Sequence, residues 1–295
     1  MLTDPKDDAP PKKDVRTDNC DTARAGASGS CLRQAVQIVF AFILMPVLLL
    51  VGFEFALRTA GFGQSTRPYV KRSFDGNTFY APNNAYFQQF YSLPVEQLVN
   101  WDDFEFQVAS KKPEGVCRIL VAGGSTANGQ PPDAAYSFGR VLQAMLAARF
   151  SDVQFELHCI AFPMANSNVM WPAVQECSVL QPDLLVIYTG DNEVSGPFGA
   201  GSKITESFLW RVPLIRANIR LTNLRLAQLA GGRSGRAFVR PQDMEMFFAT
   251  LDPDGAKMHT AEEHLRQNLR DMCRAGVRAG AGVILCTVGS NIRDW

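Results

Sequence analysis

The segment from Arg118 to Gly129, RILVAGGSTANG, limits the fold more than any other part of the chain. A short apolar run, Arg118 to Ala122, reads as a buried strand. Gly123, Gly124 and Ser125 follow at once, and a helical pattern starts near Tyr136. A strand, a tight glycine turn and then a helix lifts a side chain to the rim of a parallel sheet. The side chain lifted here is a serine hydroxyl.

The rhythm continues to the last residues. CRILVA, QFELHCIAF, PDLLVIYTG and AGVILCTVG read as four strands. Between them, Tyr136 to Phe150, Asn168 to Leu180, and Glu206 to Leu229 carry helical spacing, the last broken by Pro213. TAEEHLRQNLRDMCRAGVRAG reads as a helix capped by Thr260, with Glu263 closing a capping box. Strands alternating with helices imply right-handed crossovers and a parallel sheet covered on both faces. The near-continuous apolar strands fit a doubly covered sheet. The fold class expected is α/β, a three-layer α/β/α sandwich with a parallel sheet, flavodoxin-like in arrangement. Sites in such sheets form at the carboxyl ends of the strands. Gly123-Gly124-Ser125, FPMANSN, Thr189-Gly190-Asp191-Asn192-Glu193 and Gly289-Ser290-Asn291 stand at those ends. A hydroxyl nucleophile, a side-chain amide and several backbone N–H groups are the parts that acyl transfer needs.

Spelling separates this turn from its rivals. A phosphate-binding loop needs G-x-x-x-x-G-K-[ST], and Gly129 is followed by Gln130. A dinucleotide fingerprint needs G-x-G-x-x-G, and Gly123, Gly124 and Gly129 are spaced differently. A lipase-type elbow needs glycine where Ala127 stands. A purely structural turn is the plain alternative. Asn192 is open to a similar one, as a cap for the next segment. Asp191 and Glu193 read equally as solvated loop charges, and Asn166 and Asn168 as turn residues.

Upstream of this domain the chain is of a different kind. Residues 1–34 form a polar tail with the composition of disorder. From Ala35 to Phe53, AVQIVFAFILMPVLLLVGF, Gln37 is the only strongly polar side chain. As a helix this run is roughly 28 Å long, enough to cross a bilayer core. Pro46 is tolerable in a membrane helix. A secretory signal peptide has a similar pattern, but the tail is long and no small-x-small cleavage site follows. The expectation is one uncleaved transmembrane anchor over residues 35–57, then a connector over 58–113 and the α/β domain over 114–295. Arginines and lysines flank the span on both sides, so charge does not orient it.

Balanced charge removes the electrostatic case for nucleic acid: Lys+Arg and Asp+Glu are both 29 in a chain of 295 residues. Of seven cysteines, none forms a C-x-x-C pair, and Cys117, Cys159 and Cys286 fall in or beside strands, where cysteine packs as a small hydrophobe. No metal and no cofactor is expected. Three histidines occur, His158, His259 and His264. His264, flanked by charges, reads as an exposed helix residue, and His158 as packed within its strand.

Taken together, RILVAGGSTANG, PDLLVIYTGDNEV, AGVILCTVGSNIRDW and EFALRTAGFG resemble the SGNH/GDSL hydrolase family, in its membrane-anchored bacterial subgroup. The resemblance runs from about Glu54 to the last residue. It implies an SGNH-type fold with Ser125 as nucleophile and the Ser125 N–H as an oxyanion donor. Asn192 would be the side-chain oxyanion donor. Gly124 stands where the family has Gly or Asp. Met164, or Ala165 beside it, would supply the backbone donor of the family's second-block glycine. The implied substrates are ester-bearing small molecules or glycans and lipids of the cell envelope. The implied location is the bacterial inner membrane, with the soluble domain outside the cytoplasm. The family's general base is a histidine in a D-x-x-H element, and this chain has none. The chain is therefore expected to be C-terminally incomplete relative to the family, and very weak or inactive as an esterase or O-acyltransferase. A non-catalytic envelope binding or assembly module of the same fold is the alternative.

Overall fold

The structure is a computed structural model that describes residues 34, 37–90, 107–129, 137–162, 164–201, 210–231, 252 and 254–289. The chain divides into two compact units, Met1–Ala56 and Leu57–Trp295.

The apolar run is helical over Gln37–Thr59, with a mean hydropathy of 2.6 and no part of its most apolar stretch buried. Its one irregularity has a local cause. Pro46 carries no N–H, so the residues before it cannot keep a regular i to i−4 ladder through that position. They form a π turn, Phe40–Leu44, in which the Met45 N–H reaches back to the Phe40 carbonyl. The regular helix α1, Met45–Thr59, continues from there. The first two residues of the expected span, Ala35 and Val36, lie outside the described residues, as does the polar tail apart from Gln34.

The second unit opens with a small antiparallel sheet in the order β1-β2-β3: β1 (Tyr69–Phe74), β2 (Asn77–Pro82) and β3 (Val108–Ala109). Asp75 and Gly76 join β1 to β2 at φ of 49° and 74°. Positive φ at both turn residues matches the twist of the flanking strands. A short helix α2 (Asn84–Gln88) follows, capped by Asn83, and buries Tyr86 and Phe87. These rings and Phe90 join the same core cluster as Leu120 and Val169. The segment read as a connector thus contributes strands and core.

The main sheet has four parallel strands: β4 (Val116–Gly123), β5 (Gln154–Ala161), β6 (Leu184–Tyr188) and β7 (Gly282–Leu285), in the order β5-β4-β6-β7. A four-residue helix α3 (Ser125–Asn128) and α4 (Phe138–Arg149) lie between β4 and β5. Helix α5 (Ser167–Gln175) and a 3-10 turn (Cys177–Leu180) lie between β5 and β6. Then come α6 (Val212–Leu221), α7 (Arg225–Gly231) and α8 (Ala256–Arg278) before β7.

The alternation of β4 sorts the core into two layers, because successive strand side chains point to opposite faces. Ile119 and Val121 pack with Leu157, Val186 and the inner residues of α4, Phe138, Leu142 and Leu146. Leu120 and Ala122 pack with Ile160, Leu185, Ile187, the α5 residues Val169 and Val174, and Met272 and Ala275 of α8. Helices cover both faces, as the unbroken apolar strands require. Beside the layers, Arg118 on β4 is fully buried: it pairs with Glu156 on β5 at 2.6 Å and donates to the carbonyls of Leu180 and Ala109. That one guanidinium ties both sheets and the 3-10 turn together.

Three helix readings are corrected. Pro213 does not break a helix; it occupies the first turn of α6, where its missing N–H costs nothing, and the break falls at Thr222–Leu224 instead. Residues 206–209 of that expected helix lie outside the described residues. Helix α8 begins at Ala256, after Gly255, so Thr260 lies a turn inside it. Its hydroxyl donates to the Ala256 carbonyl, and no capping box forms with Glu263. The helix expected over Asn168 to Leu180 stops at Gln175 and resumes as the 3-10 turn. Cys117, Cys159, Cys177, Cys273 and Cys286 are all free. Burial pushes the Cys177 thiol up to about 11, as expected for an inert packing residue.

Leu120→Ala is expected to cost about 2–5 kcal/mol in urea unfolding, since Leu120 is fully buried between layers. Met145→Ala, on the exposed side of α4, is expected to stay within about 0.5 kcal/mol.

Candidate functional site

The strand order β5-β4-β6-β7 places a topological switch between the carboxyl ends of β4 and β6, whose following connections leave toward opposite sides, to β5 and to β7. Crevices for ligands open at such a switch. Those of the residues singled out in the sequence that the structure describes lie at the carboxyl ends of these strands.

Strand β4 ends at Gly123, and β6 approaches it so closely that a Cβ on Gly123 would stand 2.2 Å from the Tyr188 carbonyl oxygen. Gly124, extended at φ −88°, caps α3, and Ser125 is the first helical residue, half-buried. Gly124 is where the other two strand ends arrive. A Cβ there would lie 2.9 Å from Asn192 Nδ2, 3.1 Å from Asp191 Oδ1 and 3.2 Å from the Ala165 carbonyl oxygen. The loop after β5 and the loop after β6 therefore close over the turn more tightly than a side chain at Gly124 would allow without a shift. Asn192 Nδ2 donates to the Ala165 carbonyl at 3.2 Å, and the Thr126 hydroxyl donates to Asp191 Oδ2 at 3.1 Å.

Met164 has φ of 59°, the left-handed conformation that favours glycine. The position where the resemblance calls for a glycine thus has a glycine's backbone with a methionine on it. Among the described residues, the Ser125 and Met164 N–H groups take no acceptor, and Asn192 uses one of its two amide hydrogens. The structure thus brings Ser125, Gly124, Met164 and Asn192 to one edge of the sheet.

Both loops are fastened from behind. Asn166 caps α5, its Oδ1 accepting from the Asn168 and Val169 N–H groups while its Nδ2 donates to the Pro197 carbonyl at 2.8 Å. Glu193 is not a solvated loop charge: it is half-buried and accepts the Ser167 N–H at 2.7 Å and the Ser167 hydroxyl at 2.8 Å. Burial pushes its carboxyl up to about 7; the Ser167 bonds pull down and the Asp191 charge pushes up. Behind Ser167 stands Asn268 of α8, a buried residue the sequence reading missed. Its signal was there: Ala261, His264, Asn268, Met272 and Ala275 form one buried face, and Asn268 is a polar group in that stripe.

His264 is buried, not exposed, with its ring 4.9 Å from that of Trp210 and burial lowering its pKa. His158, mid-strand opposite Leu120, is likewise lowered by desolvation, while Glu156 nearby pulls it upward. His259 is exposed beside Glu262. No histidine hydrogen-bonds to Ser125 among the described residues. Asn291 and Ser290 lie outside the described residues. No group of three or more His, Cys, Asp or Glu is arranged to hold a metal among the described residues.

No family model matches the chain, and no curated protein matches it. Solved structures do. TesA is similar at 17% identity over 57% of this chain and 58% of its own, with a TM-score of 0.32. A GDSL-like lipase from Bacteroides thetaiotaomicron VPI-5482 is similar at 12% identity over 60% of this chain and 51% of its own, TM-score 0.28. AlinE4, an SGNH-hydrolase family esterase, is similar at 12% identity over 59% of this chain and 77% of its own, TM-score 0.28. The chain spans little more than half the length of the first two.

The left-handed backbone at Met164 separates two substitutions that both remove its side chain. Met164→Gly is expected to unfold at a higher urea midpoint than Met164→Ala, by about 1 kcal/mol in stability.

Proposed function

We propose that this carboxyl edge is an acyl-transfer site of the SGNH/GDSL type, acting on acyl or acetyl esters as a hydrolase or an O-acyltransferase. The observation that carries the reading is the convergence over Gly124, which gathers two backbone N–H groups and one Asn192 amide hydrogen, without acceptors among the described residues, near a serine hydroxyl. Ser125 Oγ attacks the ester carbonyl carbon. The charge that develops on the carbonyl oxygen is met by the Ser125 N–H, the Met164 N–H and the second hydrogen of Asn192 Nδ2. Donors already in place are the largest single aid to such a step. The bond to the leaving alcohol then breaks, the alcohol takes the proton that left Ser125, and the acyl group stays on Ser125. Water or a sugar hydroxyl takes it in the second half.

That proton needs a base. With no histidine hydrogen-bonded to Ser125 among the described residues, acylation is slow. The same observation favours a second reading, a binding or assembly module that keeps the fold. Both readings include a single uncleaved anchor formed by the apolar helix, with the domain outside the cytoplasm. The substrate class is then an ester on an envelope glycan or lipid.

A fluorophosphonate probe on the full chain tests the first reading. Slow labelling is expected, abolished in Ser125→Ala and lowered by roughly 10²–10³ in Asn192→Ala. Equal labelling of the chain and Ser125→Ala, or none of either over long exposure, leaves the binding module. For the anchor, the chain is expected to stay in the membrane pellet after alkaline carbonate washing; release into the supernatant would remove it.

A further inference from the structure

Glu193 directly follows Asn192, and its carboxylate is where the β6 loop is fastened to α5. Ser167 gives it two hydrogens, from N–H and hydroxyl. The hydroxyl proton has only one direction to take, because Ser167 Oγ itself accepts from Asn268 Nδ2 at 3.0 Å. Asn268 spends its other amide hydrogen on Asn168 Oδ1 at 2.9 Å. Its own oxygen accepts from Arg216 of α6 at 2.9 Å, and Arg216 pairs with Asp271 at 2.7 Å. Ser167, Asn168 and Asn268 are all at least nineteen-twentieths buried. The relay thus runs from α6 and α8 through α5 to the residue beside Asn192, with the Ser167 hydroxyl hydrogen and both Asn268 amide hydrogens assigned. Arg216 Nε, at its far end, has no hydrogen-bond partner among the described residues. Buried hydrogen-bond networks rigidify the arrangement they satisfy. No member touches Ser125.

We propose that Glu193 is a positioning residue of the acyl-transfer site: ionised, it locks the β6 loop to α5 and holds the Asn192 amide across Gly124, and protonated, it releases that hold. This rests on Asn192 as an oxyanion donor. The release falls in a useful range. Desolvation brings the carboxyl to about 7. The groups facing it are Asp191 on its own loop, Ser167 of α5, and, one link behind, Asn268 of α8 with Arg216 and Asp271. His264, one turn before Asn268 on the same face of α8, has its pKa lowered by burial. Bonds to an ionised acceptor are about twice as strong as neutral ones, so protonation weakens both at once.

The test is hydrogen exchange of the full chain in detergent, read on peptides covering 164–170 and 189–199 and corrected for intrinsic rates. Between about pH 8 and about pH 6, protection in wild type is expected to fall about fivefold, the equivalent of one hydrogen bond, with its inflection near 7. Glu193→Gln, of the same shape, is expected to lose the inflection. Asp191→Asn removes a raising charge and is expected to move it down; Ser167→Ala removes the lowering bond of the hydroxyl, leaving that of the N–H, and is expected to move it up. Equal protection at both pH values, or an inflection that persists in Glu193→Gln, overturns the proposal. Fluorophosphonate labelling read alongside should fall through the same inflection. An inflection in exchange with no labelling at any pH upholds the hold of Glu193 on the loop and removes the acyl-transfer reading instead.

Discussion

Strand β4 pairs with β5 on one side and β6 on the other, and at its end it passes through two residues without side chains. The first lets the β6 backbone close to van der Waals limits, and the second lets the loops after β5 and β6 meet over the turn. The rest of the carboxyl edge depends on that pair. With any side chain at Gly124, the Asn192 amide, the Asp191 carboxylate and the Ala165 carbonyl would have to move apart. A chain can supply a serine and an asparagine from distant segments. Their meeting is decided by space, and here the space is the missing Cβ.

What could be read beforehand follows from range. The strands were legible because a strand buried on both faces must be apolar at every position, whatever its neighbours are. The glycine turn was legible because close backbone approach leaves few choices of residue. Pro213 and Thr260 were misread because both are local signals with two meanings. Proline ends a helix from inside and starts one from its first turn. Threonine caps from outside and bonds back to the preceding carbonyl from inside. Only the neighbours in space choose between them. Met164 shows the reverse case: the backbone kept a glycine's conformation, but the residue type concealed it.

Polar groups were the hardest to place. Glu193 and His264 both carry the composition of exposed residues, and both are enclosed, for different reasons. Glu193 is drawn in by partners, the two hydrogens of Ser167. His264 is drawn in by an aromatic neighbour, Trp210, with no acceptor or donor for its Nδ1 among the described residues. A carboxylate enclosed with donors retains a use for its charge. An imidazole enclosed against a ring loses it, since desolvation penalises the charged form by more than the neighbouring Glu263 charge returns. Sequence context shows flanking charges in both cases and cannot separate them.

In the proposed site, the asparagine after β6 would serve two demands with one group. An amide nitrogen carries two hydrogens in a fixed fork. One, spent on the Ala165 carbonyl, fixes the orientation of the fork; the other then points where that orientation sends it. An asparagine with both hydrogens free would rotate, and a donor that must rotate into place stabilises a developing charge less than one already aimed. The Ala165 carbonyl is itself held by the turn in which the Ala165 N–H bonds to Phe162, whose own N–H continues the ladder from Gly123. The direction of the second hydrogen on Asn192 Nδ2 is therefore set, through two backbone bonds and a carbonyl, by the same strand that presents Ser125.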